Sequence, residues 1–125
     1  MSNLKTINIK GKSYVEVSER LKYFRNNYKD YSLTTQIIEC TSDQCVMVAN
    51  VLDPSGRIVA TGHAHETKNS SYINKTSHVE NCETSAWGRA LANFGIGIDS
   101  SVASANEVQM AIAQLQADAS ANIQT

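Results

Sequence analysis

The sequence predicts an α+β domain: an antiparallel β-meander of three or four strands with helices packed on one face, in the order β-α-β-β-β-α-α. Three observations predict it. Between residues 31 and 66, three stretches rich in β-branched and apolar residues are separated by short turn signals, the pattern of strands paired antiparallel. On both sides of them apolar residues recur every three or four positions, as on one face of a helix. At 125 residues, 42% hydrophobic and 18% charged, the chain has the size and balance of one globular domain able to bury its own core.

Taken in order, Lys5-Thr-Ile-Asn-Ile-Lys10 alternates polar and apolar and reads as a short strand ending at Gly11. Ser13 and Glu16 have the spacing of a capping box, which places a helix start near residue 14. Tyr14, Val17, Leu21, Phe24 and Tyr28 mark the apolar face of that helix, and Glu16, Glu19, Arg20, Lys22, Arg25 and Lys29 its charged face, expected in solvent. Residues 31–40 form the next strand, Thr41-Ser-Asp-Gln44 a turn, and residues 45–52 a mostly apolar strand. Asp53-Pro-Ser-Gly56 is a strong turn signal, with Pro second and Gly fourth. Residues 57–66 make the third strand of the meander, carrying His63 and His65 on one face. A metal site there would need further ligands aimed at the same point. Only His78 remains among the histidines, so a polar or ligand-facing sheet surface is expected and no metal.

Residues 67–76 are a polar loop or hairpin tip in which Lys68 and Lys75 flank Tyr72, a set able to hold a single strand by charge and stacking. The central helix follows. Ser77 and Glu80 form a second capping box; Val79, Cys82, Ala86, Ala90 and Phe94 give the apolar stripe; Gly95 stands where a left-handed C-terminal residue is wanted. Small residues crowd its middle, so another backbone can come close, and Gly88 costs about 1 kcal/mol of helix propensity relative to Ala. With Trp87 as anchor, the run containing Ser85 and Gly88 is expected to form an oligomer interface. Ser104 and Glu107 make a third capping box before a short helix carrying Val108, Ala111, Ile112 and Leu115. The domain is expected to span 1–115, with 116–125 a disordered tail.

No stretch approaches the roughly 18 apolar residues of a membrane span, and Met-Ser-Asn-Leu-Lys is no secretory h-region, so the expected location is the cytoplasm. Cys40, Cys45 and Cys82 form no metal or redox motif; Cys40 and Cys45 could face each other across a hairpin, and free thiols are expected. Phosphate-loop glycines, catalytic triads and paired carboxylates beside a base are lacking, which favours binding over chemistry and calls for no cofactor. Net charge is −1, unevenly placed: all eleven Lys and Arg lie in residues 1–89 with nine of the acids, and the remaining three acids follow. A mildly basic body with an acidic tail is compatible with a polyanion partner. Arg25 and Lys29 on the first helix and Arg57 opening the third strand of the meander are candidate phosphate contacts.

Glu83-Thr-Ser-Ala-Trp-Gly-Arg-Ala-Leu-Ala-Asn-Phe-Gly95, followed by Ala103-Ser-Ala-Asn-Glu-Val108, resembles a motif of phage single-strand annealing proteins of the Sak and Erf type, kin to the eukaryotic ring-forming strand-annealing recombination mediator. Lys12–Leu21 is similar to their first helix, and Ala60-Thr-Gly-His-Ala64 to their glycine-containing strand. The resemblance implies a single-stranded DNA binding and annealing protein of phage recombination or replication, acting in the bacterial cytoplasm. It would assemble as a homo-oligomeric ring or helical filament with phosphates on basic residues and bases outward, and it admits a phage exonuclease as a partner. It places Arg89 at a DNA-contacting position; Gly88 and Ala92 stand where that family often has further basic residues. The alternative role for Arg89 is an ion pair with Glu80, Glu83 or Asp99. The alternative function is a homo-oligomeric binding protein with a partner other than nucleic acid.

Overall fold

A computed structural model of the chain describes residues 4–68, 74–98 and 102–123, leaving aside the side chains of 74–76, 118 and 120–123. The elements are β1 (Thr6–Ile9), β2 (Lys12–Val15), α1 (Val17–Asn27), β3 (Ser32–Cys40), β4 (Gln44–Leu52), β5 (Ile58–Thr67), α2 (Asn74–Phe94) and α3 (Ala105–Ile123). The class is the α+β expected, with a three-stranded antiparallel meander in the order β3-β4-β5 and a separate hairpin of β1 and β2.

The hairpin is a departure at the N-terminus. Lys10 and Gly11 both take positive φ, 52° and 86°, the backbone of a two-residue turn whose twist matches its strands. The chain therefore stays extended through Val15, and Ser13 pairs with Asn8 instead of capping a helix. Glu16 becomes the N-cap without a side-chain cap bond. The Val17 amide donates instead to Asn106 Oδ1, 3.0 Å away at the start of α3.

The other helix signals place their ends well. Ser77 leaves helical backbone (φ −139°, ψ 26°), so regular α2 begins at the residue the capping pattern marked. At its far end Gly95 has φ 116°. The Gly95 amide donates to Ala92 O and the Ile96 amide to Leu91 O, each at 3.0 Å, the two bonds of a Schellman cap. Ser104 Oγ accepts from the Glu107 amide at 3.2 Å, and Glu107 Oε1 accepts from the Ser104 amide at 3.4 Å, completing the third capping box. From there α3 stays helical to Ile123, past residue 116 where the sequence was expected to lose order; its Ala and Gln content carries good helix propensity. Among the described residues no helix is long and apolar enough to cross a membrane.

Alternation along the strands decides which side of the meander is covered. Cys45, Met47, Ala49 and Val51 of β4 and Ala60 and Ala64 of β5 are buried toward α2, with Ala86, Ala90 and Leu91 facing them. Gly62 lies where the helix axis crosses β5. A Cβ built on it would stand 2.3 Å from the Ala90 nitrogen and 2.8 Å from the Ala86 carbonyl oxygen, so helix and strand backbones touch there. Polar bonds fix the register of that contact: Asn93 Nδ2 to Thr61 O at 3.1 Å and Cys82 Sγ to Cys45 O at 3.3 Å. A cluster of Phe24, Tyr28, Tyr31 and Phe94, with centroids 4.8–6.1 Å apart, ties the end of α1 to the end of α2. The β4–β5 turn is held by Asp53, whose Oδ1 accepts from the Ser55 hydroxyl and amide and the Arg57 amide. The Ser55 hydroxyl, first among these, holds the Asp53 carboxyl below its ordinary range.

Gly62→Ala is expected to destabilise by ~3 kcal/mol or more, because the parting of strand and helix needed to admit a methyl group would break the core contact. Equilibrium urea unfolding beside Ala64→Gly checks it: a shift as small as an ordinary surface change would mean the two backbones do not touch. Cys40 and Cys45 are the directly opposed pair across β3 and β4, as the sequence allowed, and all three cysteines are free. Burial pushes the Cys45 thiol up to about 12 and raises that of Cys82, while Cys40 is exposed. A raised thiol pKa means that the reactive thiolate is scarce at pH 8. A colorimetric thiol assay on the native protein should therefore report fast reaction at Cys40 alone, with the other two reacting after denaturation.

Candidate nucleic-acid interface

Where α1, α2 and the start of α3 meet, the packing is organised by Arg20. The spacing Val17, Arg20, Phe24 puts Arg20 on the inner face of α1, and it is fully buried, not part of the solvated face expected from its charge. Its Nη1 donates to Gly88 O and Val102 O, both at 3.2 Å. Burial pulls its pKa below the ordinary arginine value, opposed by the negative charge of Glu107. A guanidinium stays protonated even so, which makes this a buried cation held by carbonyl dipoles and one nearby carboxylate.

Glu107 also pairs with Arg89, Nη2 to Oε2 at 2.5 Å. The ion pair foreseen with Glu80, Glu83 or Asp99 is thus made with a carboxylate from α3; Asp99 lies outside the described residues. The Arg89 side chain remains 45% exposed and that of Glu107 13%. Glu107 thus faces both arginines, with Arg89 on the solvent side.

The small residues of α2 work inside the protomer. A Cβ on Gly88 would lie 2.9 Å from Val17 Cγ2, and Ser85 is buried with its hydroxyl 3.5 Å from Glu66 Oε1. Neither reaches the surface, so the expected role of Ser85 and Gly88 at an oligomer interface is replaced by close packing of α1, α2 and β5. Trp87 is half-buried at the side of α2, its Nε1 donating to Thr35 Oγ1 at 2.8 Å. It forms the floor of a groove of about 450 Å³ between α1 and β3, lined by Leu21, Lys22, Arg25, Asn26, Leu33, Thr35 and Trp87.

The remaining basic candidates are divided between the two ends of the meander. Arg25 and Lys29 are exposed at the end of α1, Arg25 with its Cζ 5.5 Å from the Phe24 ring centroid. Ser32, three residues after Lys29, pairs with Leu52, which brings the exposed Arg57 of the β4–β5 turn toward the same end. Lys68 is exposed at the opposite end, its amide donating to Asp43 O beside the β3–β4 turn. His78 anchors α2 near that turn through Thr41 O at 3.0 Å, so the first turn of α2, where Lys75 sits, starts from this end. Tyr72 and the Lys75 side chain lie outside the described residues, so the expected set of Lys68, Tyr72 and Lys75 is represented by Lys68 alone. The sheet face away from α2 carries Gln36, Val48, Asn50, His63 and His65; both histidines are exposed, and no group of three His, Cys, Asp or Glu suited to a metal occurs among the described residues.

Leu21, Lys22, Asn26, Leu33 and Thr35 were not singled out from sequence as site residues, because the groove exists only once α1 is laid beside β3. The inward position of Arg20, three after Val17 and four before Phe24, was readable from helical spacing.

An α-β-β-β-α unit with both helices toward one face of the sheet and cations along its rim is the class of module defined by α1 to α2. A family model described as Slr1353 N-terminal dsRNA-binding domain-like matches residues 21–94, and the chain belongs to that family. Searches of curated proteins and of solved structures returned no match.

Arg20 and Arg89 should respond oppositely to removal. Arg20→Met removes the bonds to the Gly88 and Val102 carbonyls and the buried charge that faces Glu107, and is expected to destabilise by about 3 kcal/mol. Arg89→Ala loses an exposed ion pair worth about 0–1 kcal/mol. Thermal and urea unfolding of both variants check this; equal losses would remove the distinction between a structural and a surface arginine.

Proposed function

We propose that this chain is a single-stranded DNA binding and annealing protein that works as a homo-oligomer, each protomer neutralising a few phosphates. The observation that carries the nucleic-acid part of the reading is membership of a family described as dsRNA-binding domain-like, over residues 21–94, from within α1 to the end of α2. The resemblance of residues 83–95 to phage annealing proteins narrows it to strand annealing in recombination or replication, with a phage exonuclease as a supplier of single strands. Charge supports assembly: a net charge of −1 gives each copy few cations to offer, so useful affinity has to come from many copies along one strand. Arg89, on the solvent side of its cluster, is the central phosphate contact in this reading; Arg25, Lys29 and Arg57 form one flanking group, and Lys68 with Lys75 the other. Duplex RNA is the second reading, favoured by the family description.

Competition among single-stranded DNA, single-stranded RNA and duplex RNA for the purified protein separates the two. The expected result is preference for single-stranded DNA and faster annealing of complementary strands. Log affinity should fall with log salt at about −0.7 per phosphate contact, and Arg89→Ala should weaken binding several-fold while the fold persists. Light scattering should give a mass several times 13.6 kDa. Preference for duplex RNA would install the second reading, and a monomer that binds no polyanion at low salt would remove both.

A further inference from the structure

We propose that the groove between α1 and β3 is a nucleobase pocket that takes one unstacked base of a bound single strand, with its phosphate on Arg25. This deepens the strand-binding reading and rests on it. Three features of the groove fit a nucleotide. Its apolar wall is an indole with two leucines, Trp87, Leu21 and Leu33, offering an aromatic partner for a planar base. Its lip carries two cations, Lys22 and Arg25, and among the described residues no carboxylate lines it. Lys22 is partly neutralised by Glu19 at 3.7 Å, whereas Arg25 has no carboxylate partner among the described residues. Its polar atoms, the Asn26 amide and the Thr35 hydroxyl, stand beside the apolar wall, where they can meet the hydrogen-bonding edge of a base.

Size and rigidity agree with this. A volume of about 450 Å³ is in the range of small-ligand sites and leaves room for one nucleotide, not for a stacked pair of strands. The Nε1–Thr35 bond holds the indole against β3, so no ring reorientation has to be opposed on binding. In an annealing protein most bases must remain outward to pair. A single inward base per protomer would set the spacing of the strand along the oligomer while leaving the others free. A duplex, whose bases are stacked and paired, could not enter.

Trp87 is the only tryptophan of the chain, so its emission reports on this groove without any substitution. Labelled oligothymidylate is titrated with the full chain, following strand anisotropy and tryptophan emission together. The expected result is quenching that tracks strand binding, absent with an abasic strand of equal phosphate number and with duplex. Trp87→Leu should weaken strand binding roughly tenfold, Trp87→Phe should restore most of it by keeping a ring, and Arg25→Ala should weaken it without altering the emission of the free protein. Strand binding with unchanged emission, and equal affinity for the abasic strand, overturns the pocket and leaves strand binding standing. Emission that responds to protein dilution but not to strand assigns the groove to self-association and also overturns it. Loss of all strand binding in the wild-type protein overturns the pocket together with the reading beneath it.

Discussion

The backbone of α2 lies directly on β5 at Gly62, and the rest of the arrangement follows from that contact. Helix and strand come this close only because Gly62, Ala86 and Ala90 project nothing larger than a methyl group between them. The approach places Trp87 beside Thr35 on one flank and Gly88 beside Val17 on another. A larger residue at any of these points would lift the helix and open the groove, the Arg20 site and the aromatic cluster together. The small-residue run of α2 is thus explained within one protomer, although it was read from sequence as a surface for another.

Arg20 carries the second constraint. A cation withdrawn from water must be met by dipoles or charge, and here the partners come from α2, from the chain after it and from α3. The carboxylate it senses, on Glu107, also caps α3 and pairs with Arg89. One side chain therefore links a structural cation to a surface cation. The charge that faces solvent at Arg89 depends on how the buried arginine and the helix cap share that carboxylate.

Much of this was legible in the sequence where the signal is local. Period-two alternation located the meander, and Asp53-Pro-Ser-Gly56 its second turn. Gly95 marked the end of α2, and the Ser104–Glu107 spacing the start of α3, because turns and caps are made by residues adjacent in the chain. The misreadings arose where a distant partner decides. Ser13 and Glu16 have capping spacing, but Lys10-Gly11 turns the chain into a hairpin, and the amide of Val17 finds Asn106 instead. Arg20 was assigned to solvent by its charge although its spacing points inward; the distant carbonyls of Gly88 and Val102 and the carboxylate of Glu107 help make that position tenable. The groove under Trp87 is assembled from three elements, and no short motif encodes it.

Arg20 also bears on where this domain can be cut. The family match ends at Phe94, yet Arg20 is bonded to the carbonyl of Val102, and α1 begins on a bond to Asn106. The recognisable module and the cooperative folding unit therefore differ in length. The match also begins at Leu21, inside α1, so a fragment trimmed to the matched residues would lose Arg20 and the first turn of α1 together with the segment that holds them. The segment after α2 acts as a clasp on the module it follows.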